Sequence, residues 1–527
     1  IYGSLEIAGE CTKVFPPNVH IQNWMTYIYR KYKPGDIWYL DLWPFGPRFL
    51  VIADPEVASQ FITTGVSLYK SRLGSDYLDI FLGTGSIVTA EASHWKSMRS
   101  AFNPGFSASH LMTLVPYIVD ATIVFHEALA DKASKREIFS LEEYATRMTI
   151  DIIGKIVLDS DFDSQKRAHP VVTMFRQRAG LMRNNGGFYP WDDFDAFRPI
   201  KLWFNARKLD GLIGKELDQL IEVRAKDPKR GVQKSFRDRK KTVIDLALDS
   251  YYQQSATEKG IAATIDPEVR REIISNMKTF IFAGHDTTAT TIAYALYFLH
   301  FYPNVYQKLV QELEEVYGAG ASYETISNAI KEDPHSINKL EYLTAIVKET
   351  LRLFPPASTL RAIPKDQAPL FVTDPDTGKQ LPIKGFDVWV VSHMVHRNEK
   401  FFPKPDEFIP ERFIPSQTPF PEAKLFTAAG KDAWRPFEKG PRNCLGQELA
   451  MIEAKVTLAI IAKDFDFVAE VDGVKCDSWT PISTVEEYRD GGKHNTVEGH
   501  RIYQILKGAA KPYAGMPGRV SWRKGVS

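Results

Sequence analysis

The string FEKGPRNCLG, Phe437 to Gly446, sets a cysteine just ahead of the apolar stretch QELAMIEAKVTLAIIA, which has helical character. A thiol at a helix N-terminus feels the positive end of the macrodipole, so the Cys444 thiolate is expected to form well below the ordinary pKa of about 8.5. Gly440 and Gly446 remove side chains where a flat ligand could approach the backbone. Arg442 could pair with a carboxylate of that ligand. Taken alone, a single Cys in a tight turn is more often an inert buried thiol. In AGHDTT, Ala283 to Thr288, a glycine and two threonines interrupt a long helical pattern. Such a conflict marks a functional kink or groove, and the apolar neighbours imply that Asp286 and Thr287 are buried. KETLR places Glu349 and Arg352 on one helix face, and HWKSMR does the same for Trp95 and Arg99.

Around Cys444 the spacing is F-x-x-G-x-R-x-C-x-G, which closely resembles the haem-binding loop of the cytochrome P450 superfamily. The resemblance spans essentially the whole chain. It implies a mainly α fold with a smaller β-rich lobe, and haem b buried between the long central helix and the Cys-loop helix. Cys444 would be the axial thiolate, which favours O–O cleavage, with Phe437 and Gly446 shaping the loop. Trp95, Arg99, Arg361 and Arg442 would hold the haem propionates. Glu349, Arg352 and Arg412 (of PERF, Pro410 to Phe413) would form a buried structural triad. Asp286 and Thr287 would relay protons, with His285 in the motif's variable position.

The activity so implied is a monooxygenase inserting one oxygen atom of O2 into a lipophilic small molecule. By family position the pocket linings are Phe81, Phe280, Ala283, Ala357 and Leu360, with the aromatic segment Gly186 to Phe197 as a lip. No G-x-G-x-x-G follows a strand and opens a helix, since GTGSIV at Gly83 and GAGASY at Gly318 lack the third glycine. Electrons are therefore expected from NADPH through a separate NADPH-cytochrome P450 reductase, docking on the cysteine side near Lys439. The style is most like microsomal fungal members that tailor secondary metabolites, at the cytosolic face of the endoplasmic reticulum membrane. Coupling, desaturation or ring formation is the alternative chemistry. A haem sensor or carrier would not need Asp286 and Thr287.

These residues need elements to position them. WYLDLW and RFLVIAD flank the turn-forming PFGP, a hairpin signal, and the first 60 residues read as short strands. Helical spacing follows from His110, Ser140, Ile200 and Leu340, and above all from Asp266-Pro267, an N-cap with Pro at the first helical position. Strand character returns at VWVVSHMVH and IYQIL; in a strand, His393 and His396 would face opposite ways, which makes a metal site there improbable. RAKDPKRGVQKSFRDRKK (224–241) reads as a solvated loop and Asp472 to His500 as a surface insertion.

Composition sets the outer bounds. With 66 Lys+Arg against 65 Asp+Glu the net charge is +1, which argues against a dedicated nucleic-acid binder. A 44% hydrophobic and 12% aromatic chain is no acidic disordered segment. Cys11, Cys444 and Cys476 cannot make a disulfide framework, as fits a reducing compartment. The chain opens on Ile1, so an N-terminal membrane anchor is expected to have been removed. Thr287 to Gln307 lacks formal charge, but its threonines and Pro303 favour a core helix over a membrane span. Length alone suggests three or four domains. One haem touched by Trp95, Thr287 and Cys444 instead requires residues 1–527 to act as a single haem-binding domain.

Overall fold

The longest helix starts where its capping residues place it. The Asp266 side chain accepts from the backbone N–H of Glu268 at 2.8 Å and of Val269 at 3.4 Å, and Pro267 opens a helix that runs to Phe301. The computed structural model describes residues 2–62, 68–182, 195–226, 242–248, 266–364, 368, 370–375, 377–427, 430, 432–477 and 496–523. Around the long helix pack Leu141–Ile153, Arg198–Lys226, Glu341–Leu353 and Gln447–Ile461. Together they bury one continuous apolar core. Nearly the whole circumference of the long helix is buried from Ile273 to Leu299, the mark of a helix inside a large helical body.

The smaller lobe joins both halves of the sequence. Its main sheet runs in the order Ile37–Asp41, Arg48–Ile52, Asp387–Val390, Leu360–Ala362 and Tyr69–Lys70. The first pair is the expected hairpin, with Trp38 opposite Val51 and Leu40 opposite Phe49. A second sheet pairs Phe465–Val471 with Pro517–Trp522, and Gln504–Lys507 turns back on Ala509–Pro512.

Two expectations change. Before the hairpin the chain is helical, over Tyr2–Val14 and Gln22–Tyr32. Gln22 to Ile28 is buried without a break, so no strand-like alternation governs it. The strand in VWVVSHMVH ends at Val390, and Ser392–Val395 is one helical turn, which brings His393 and His396 towards one side. Within Thr287 to Gln307 the core helix runs to Phe301, and the break at Tyr302 before Pro303 ends it as the proline requires. Ala108–Lys135 is the one described helix long and apolar enough to cross a membrane by length and composition. It packs instead on Leu141–Ile153, Gln447–Ile461 and Pro517–Trp522. Most of the aromatic lip, of the basic 224–241 segment and of the 472–500 insertion lies outside the described residues.

Candidate active site

On the long helix, Ala283 is exposed and Thr287 half-buried, while Ile281, Phe282, His285 and Asp286 beside them are buried. At 3.6 residues per turn these two share one stripe, and the stripe faces an internal cavity of about 310 Å³. Gly284 lets the neighbouring helix close in: a Cβ there would lie 2.7 Å from Ile153 Cδ1. The Thr287 hydroxyl donates to the Ala283 carbonyl at 2.8 Å. Phe280 and Ala357 also line the cavity.

The Cys loop forms the opposite wall. The Cys444 N–H donates to the Phe437 carbonyl at 2.8 Å, the Asn443 N–H donates to Gly440 at 3.0 Å, and Gly440 sits at φ 76°. That left-handed turn favours glycine. Nothing stands within 4 Å of where a Gly446 Cβ would be, which leaves open space beside the start of the Gln447–Ile461 helix. Cys444 is accessible only in the sense that it faces the cavity; protein encloses it. Burial pushes its thiol up, outweighing the Gly446 N–H and Arg99, which pull it down. The expected lowering by the helix terminus is therefore not realised by the protein alone. A coordinated metal would remove the proton outright.

Cations crowd one rim of the cavity. Arg99 donates to the Asn443 carbonyl at 2.7 Å and to its side-chain oxygen at 2.8 Å. Arg442 donates to the Ala90 carbonyl at 2.8 Å and to Glu91 at 2.5 Å, and its guanidinium lies 4.6 Å over the Trp95 ring. Arg361 stands opposite Lys70 across a strand pair, just behind the lining. Arg435, fully buried, pairs with Glu438. Lys70, Arg99, Arg361, Arg435 and Arg442 thus outnumber the two carboxylates Glu91 and Glu438. Burial, with Arg361 and Arg442 nearby, pushes Lys70 down to about 7. The Nη1 atoms of Arg361 and Arg442 are buried without a hydrogen-bond partner. Orphaned cationic donors beside an apolar slot ending in a thiol suit a flat dianionic ligand bound through sulfur, as haem would be. Lys70 and Arg435 escaped the sequence reading, because no local motif marks them.

Behind the loop, Glu349, Arg352 and Arg412 meet with almost no solvent exposure. Arg352 donates to Glu349 at 2.7 and 2.8 Å, and Arg412 at 3.0 Å. The remaining guanidinium donors reach backbone carbonyls of Pro403, Lys404, Pro405 and Glu407. His396 extends this cluster to the Cys loop. Its Nε2 accepts from the Arg435 N–H at 3.0 Å, so its Nδ1 carries the proton and donates to the Arg352 carbonyl at 3.0 Å. The H-x-x-H string is a structural link, and the described residues hold no cluster of three metal-ligating side chains.

Other expected residues sit elsewhere. The Asp286 carboxylate does not share the cavity with Thr287; it lines a second one of about 480 Å³ behind the helix. Adjacent helical residues diverge by about 100°, which carries the acid to the other face. There Lys511 reaches it at 2.6 Å and His285 at 2.9 Å. Burial pushes Asp286 up, but His285 and Lys511 outweigh it and hold the carboxyl well below the usual range. Phe81 also lines the second cavity, against Phe175 and Phe282. Leu360 packs in the lobe beside Trp389 instead of lining either cavity, since strand alternation turns it away from its neighbour Arg361. Lys439 is half-buried and burial lowers its pKa.

The cytochrome P450 family model matches residues 8–487. This chain is a member of the cytochrome P450 family. The P450 fold is seen again in the crystal structure of a cytochrome P450 (CYP102L1), with a TM-score of 0.66 and 19% identity over 96% of this chain and 95% of that one. Among curated relatives, cytochrome P450 monooxygenase acrF of Aspergillus aculeatus is 35% identical, covering 95% of this chain and 97% of the relative. Cytochrome P450 monooxygenase polC of Polytolypa hystricis is 32% identical over 99% and 88%. Mouse cytochrome P450 4V2 is 28% identical over 87% and 82%. This P450 is accordingly a haem-thiolate monooxygenase, using O2, a small-molecule substrate and a redox partner.

Proposed function

We propose that this P450 oxidises a lipophilic small molecule of fungal secondary metabolism, with electrons from NADPH delivered by a separate reductase at the cytosolic face of the endoplasmic reticulum. The observation that carries this reading is the Ala283–Thr287 stripe facing Cys444 across a slot lined by Val88, Phe280, Val347 and Leu351. Such a wall favours apolar ligands and excludes bulk water. Residues from Lys70 to Glu453 line that one slot, which supports a single haem-binding unit.

The haem, when bound, supplies activation of dioxygen and insertion of one oxygen atom. The chain's own residues do the rest. Cys444 offers the thiolate, its backbone N–H anchored on the Phe437 carbonyl. Arg442 and Arg361 offer their unpaired Nη1 donors to the carboxylates, while Arg99, braced on Asn443, and Trp95 beneath Arg442 fix that edge. Thr287 presents a hydroxyl to the cavity for proton transfer. Asp286 supplies protons from the second cavity only when Lys511 and His285 release its carboxylate. Glu349, Arg352 and Arg412 hold the loop's scaffold. The test is a spin-shift titration of the holoenzyme with a panel of lipophiles: saturable shifts with apolar members are expected, and shifts only with charged, water-soluble compounds would refute the reading.

A further inference from the structure

Ser358 lies between the end of the Glu341–Leu353 helix and the strand Leu360–Ala362, half-buried, and lines the cavity beside Ala357. Its Oγ accepts from the Trp389 indole N–H at 2.8 Å. That indole is held in the core of the lobe, where Trp389 stands opposite Leu360 across a strand pair and meets the Phe49 ring at 5.5 Å. The backbone on both sides of Ser358 is pinned as well. The Pro355 carbonyl accepts from the Gln504 amide at 3.2 Å, the Pro356 carbonyl from the Ala510 N–H at 2.8 Å, and the Leu360 carbonyl from the Ser71 N–H at 3.2 Å. The hydroxyl is therefore set in place before any ligand arrives.

A hydroxyl has one proton to give, and along this slot most are already given. Thr279, Thr287 and Thr291 donate to carbonyls one turn back on the long helix, at 2.8, 2.8 and 2.9 Å. Thr359 donates to Glu438 at 2.9 Å, and Ser392 reaches the Arg435 carbonyl at 3.5 Å. Thr288 is buried at 3% exposure. Ser358 differs. Its oxygen takes the indole proton, and its own proton meets no acceptor among the described residues. Accepting from the indole also polarises the hydroxyl and makes it a better donor. Once a ligand displaces water from this apolar slot, the acceptor for that proton has to come from the ligand.

We propose that Ser358 is a specificity residue that donates a hydrogen bond to an uncharged oxygen of the substrate, so that this P450 selects lipophiles bearing a carbonyl over hydrocarbons of the same shape. This rests on the lipophile reading and names a group within it. A neutral oxygen fits better than a carboxylate. Arg435 and Arg442 are paired with Glu438 and Glu91, and the unpartnered Nη1 donors of Arg361 and Arg442 suit the haem carboxylates. A lone uncharged donor in an apolar wall favours a ligand with an acceptor and rejects one without, because the donor is then stranded. Trp389 does not touch the ligand in this scheme; it is the positioning residue that orients Ser358.

The test is a spin-shift titration of the holoenzyme with three matched pairs of increasing bulk: 2-dodecanone with dodecane, 1-decalone with decalin, and androstan-17-one with androstane. In Ser358→Ala the ketone-to-hydrocarbon affinity ratio should fall about 3- to 10-fold below wild type, as the loss of one neutral hydrogen bond requires. Ser358→Thr, which keeps a hydroxyl, should restore much of the ratio, and Trp389→Phe should lower it part of the way. Reduced-CO spectra check that each variant still holds haem through sulfur. If Ser358→Ala does not, because the indole N–H is left stranded, Ser358→Ala combined with Trp389→Phe strands nothing and is read in its place. Saturable shifts with the same ratio in wild type and the Ala variant overturn the proposal and leave the lipophile reading standing. A Thr variant as poor as Ala means that packing and not the hydroxyl set the ratio, and overturns it too. If none of the six compounds shifts the wild type, the lipophile reading fails and the role of Ser358 falls with it.

Discussion

The guanidinium of Arg99 holds Asn443 at two points, the backbone carbonyl at 2.7 Å and the side-chain oxygen at 2.8 Å. Residues far apart in sequence thereby fix the one loop that carries Cys444. A rigid two-pronged fork suits this contact and a lysine ammonium does not. Arg99→Ala should therefore weaken haem retention by about 1.5–3 kcal/mol, the value of a hydrogen bond to a charged group. Haem transfer to an acceptor protein measures it, and Arg99→Lys should not restore the wild-type rate.

Glu349 receives two arginines with no exposure of its side chain. Burial pushes its carboxyl up, yet Arg352 and Arg412 outweigh this and hold it below the usual range. A carboxyl lowered in the folded state contributes stability above its unfolded pKa of about 4.3, and that stability fades as pH falls through the lowered folded value. Acid unfolding of the wild type should show this loss. Glu349→Ala, leaving two buried guanidinium groups unpaired, should cost about 3–5 kcal/mol in denaturant unfolding.

Gly284 and Ile153 leave no room for a methyl group, with Cδ1 at 2.7 Å and Cγ1 at 3.0 Å from an added Cβ. Gly284→Ala should destabilise the protein by about 1–3 kcal/mol. Ile153→Ala in the same chain should recover part of it. Additivity in that double-mutant cycle would show that the two side chains do not compete for the space.

Lys511 is buried between Asp286 and Glu142, at 2.6 and 3.0 Å. Burial lowers its pKa, but the two carboxylates outweigh it and raise it above the usual value. Lys511→Met should let the Asp286 carboxyl rise, because one of the two groups that offset its burial is gone while His285 remains. The pH dependence of product coupling should move upward with it. An unchanged profile would mean that Asp286 does not titrate in turnover.

Local strings were legible where chemistry is local. The Cys loop, the E-x-x-R helix and the capped start at Asp266 each occupy a few residues, and the structure places them as elements of the expected kind. What sequence spacing could not show was which way a helix face points. Asp286 and Thr287 are neighbours in the chain, yet they open into different cavities. Lys70, Arg435 and His396 act through contacts across long stretches of sequence, so no short pattern marks them. The N-terminal helices pack against the lobe, and short aromatic-rich runs such as QNWMTYIYRKY suit a strand as readily as a helix when read alone.

The central claim is that Cys444 binds haem iron through sulfur, and the reduced-CO absorption spectrum tests it most directly. The wild-type holoenzyme should give the red-shifted Soret band of a thiolate ligand, and Cys444→Ala should lose that band even where haem remains bound. A red-shifted band that survives in Cys444→Ala would contradict it.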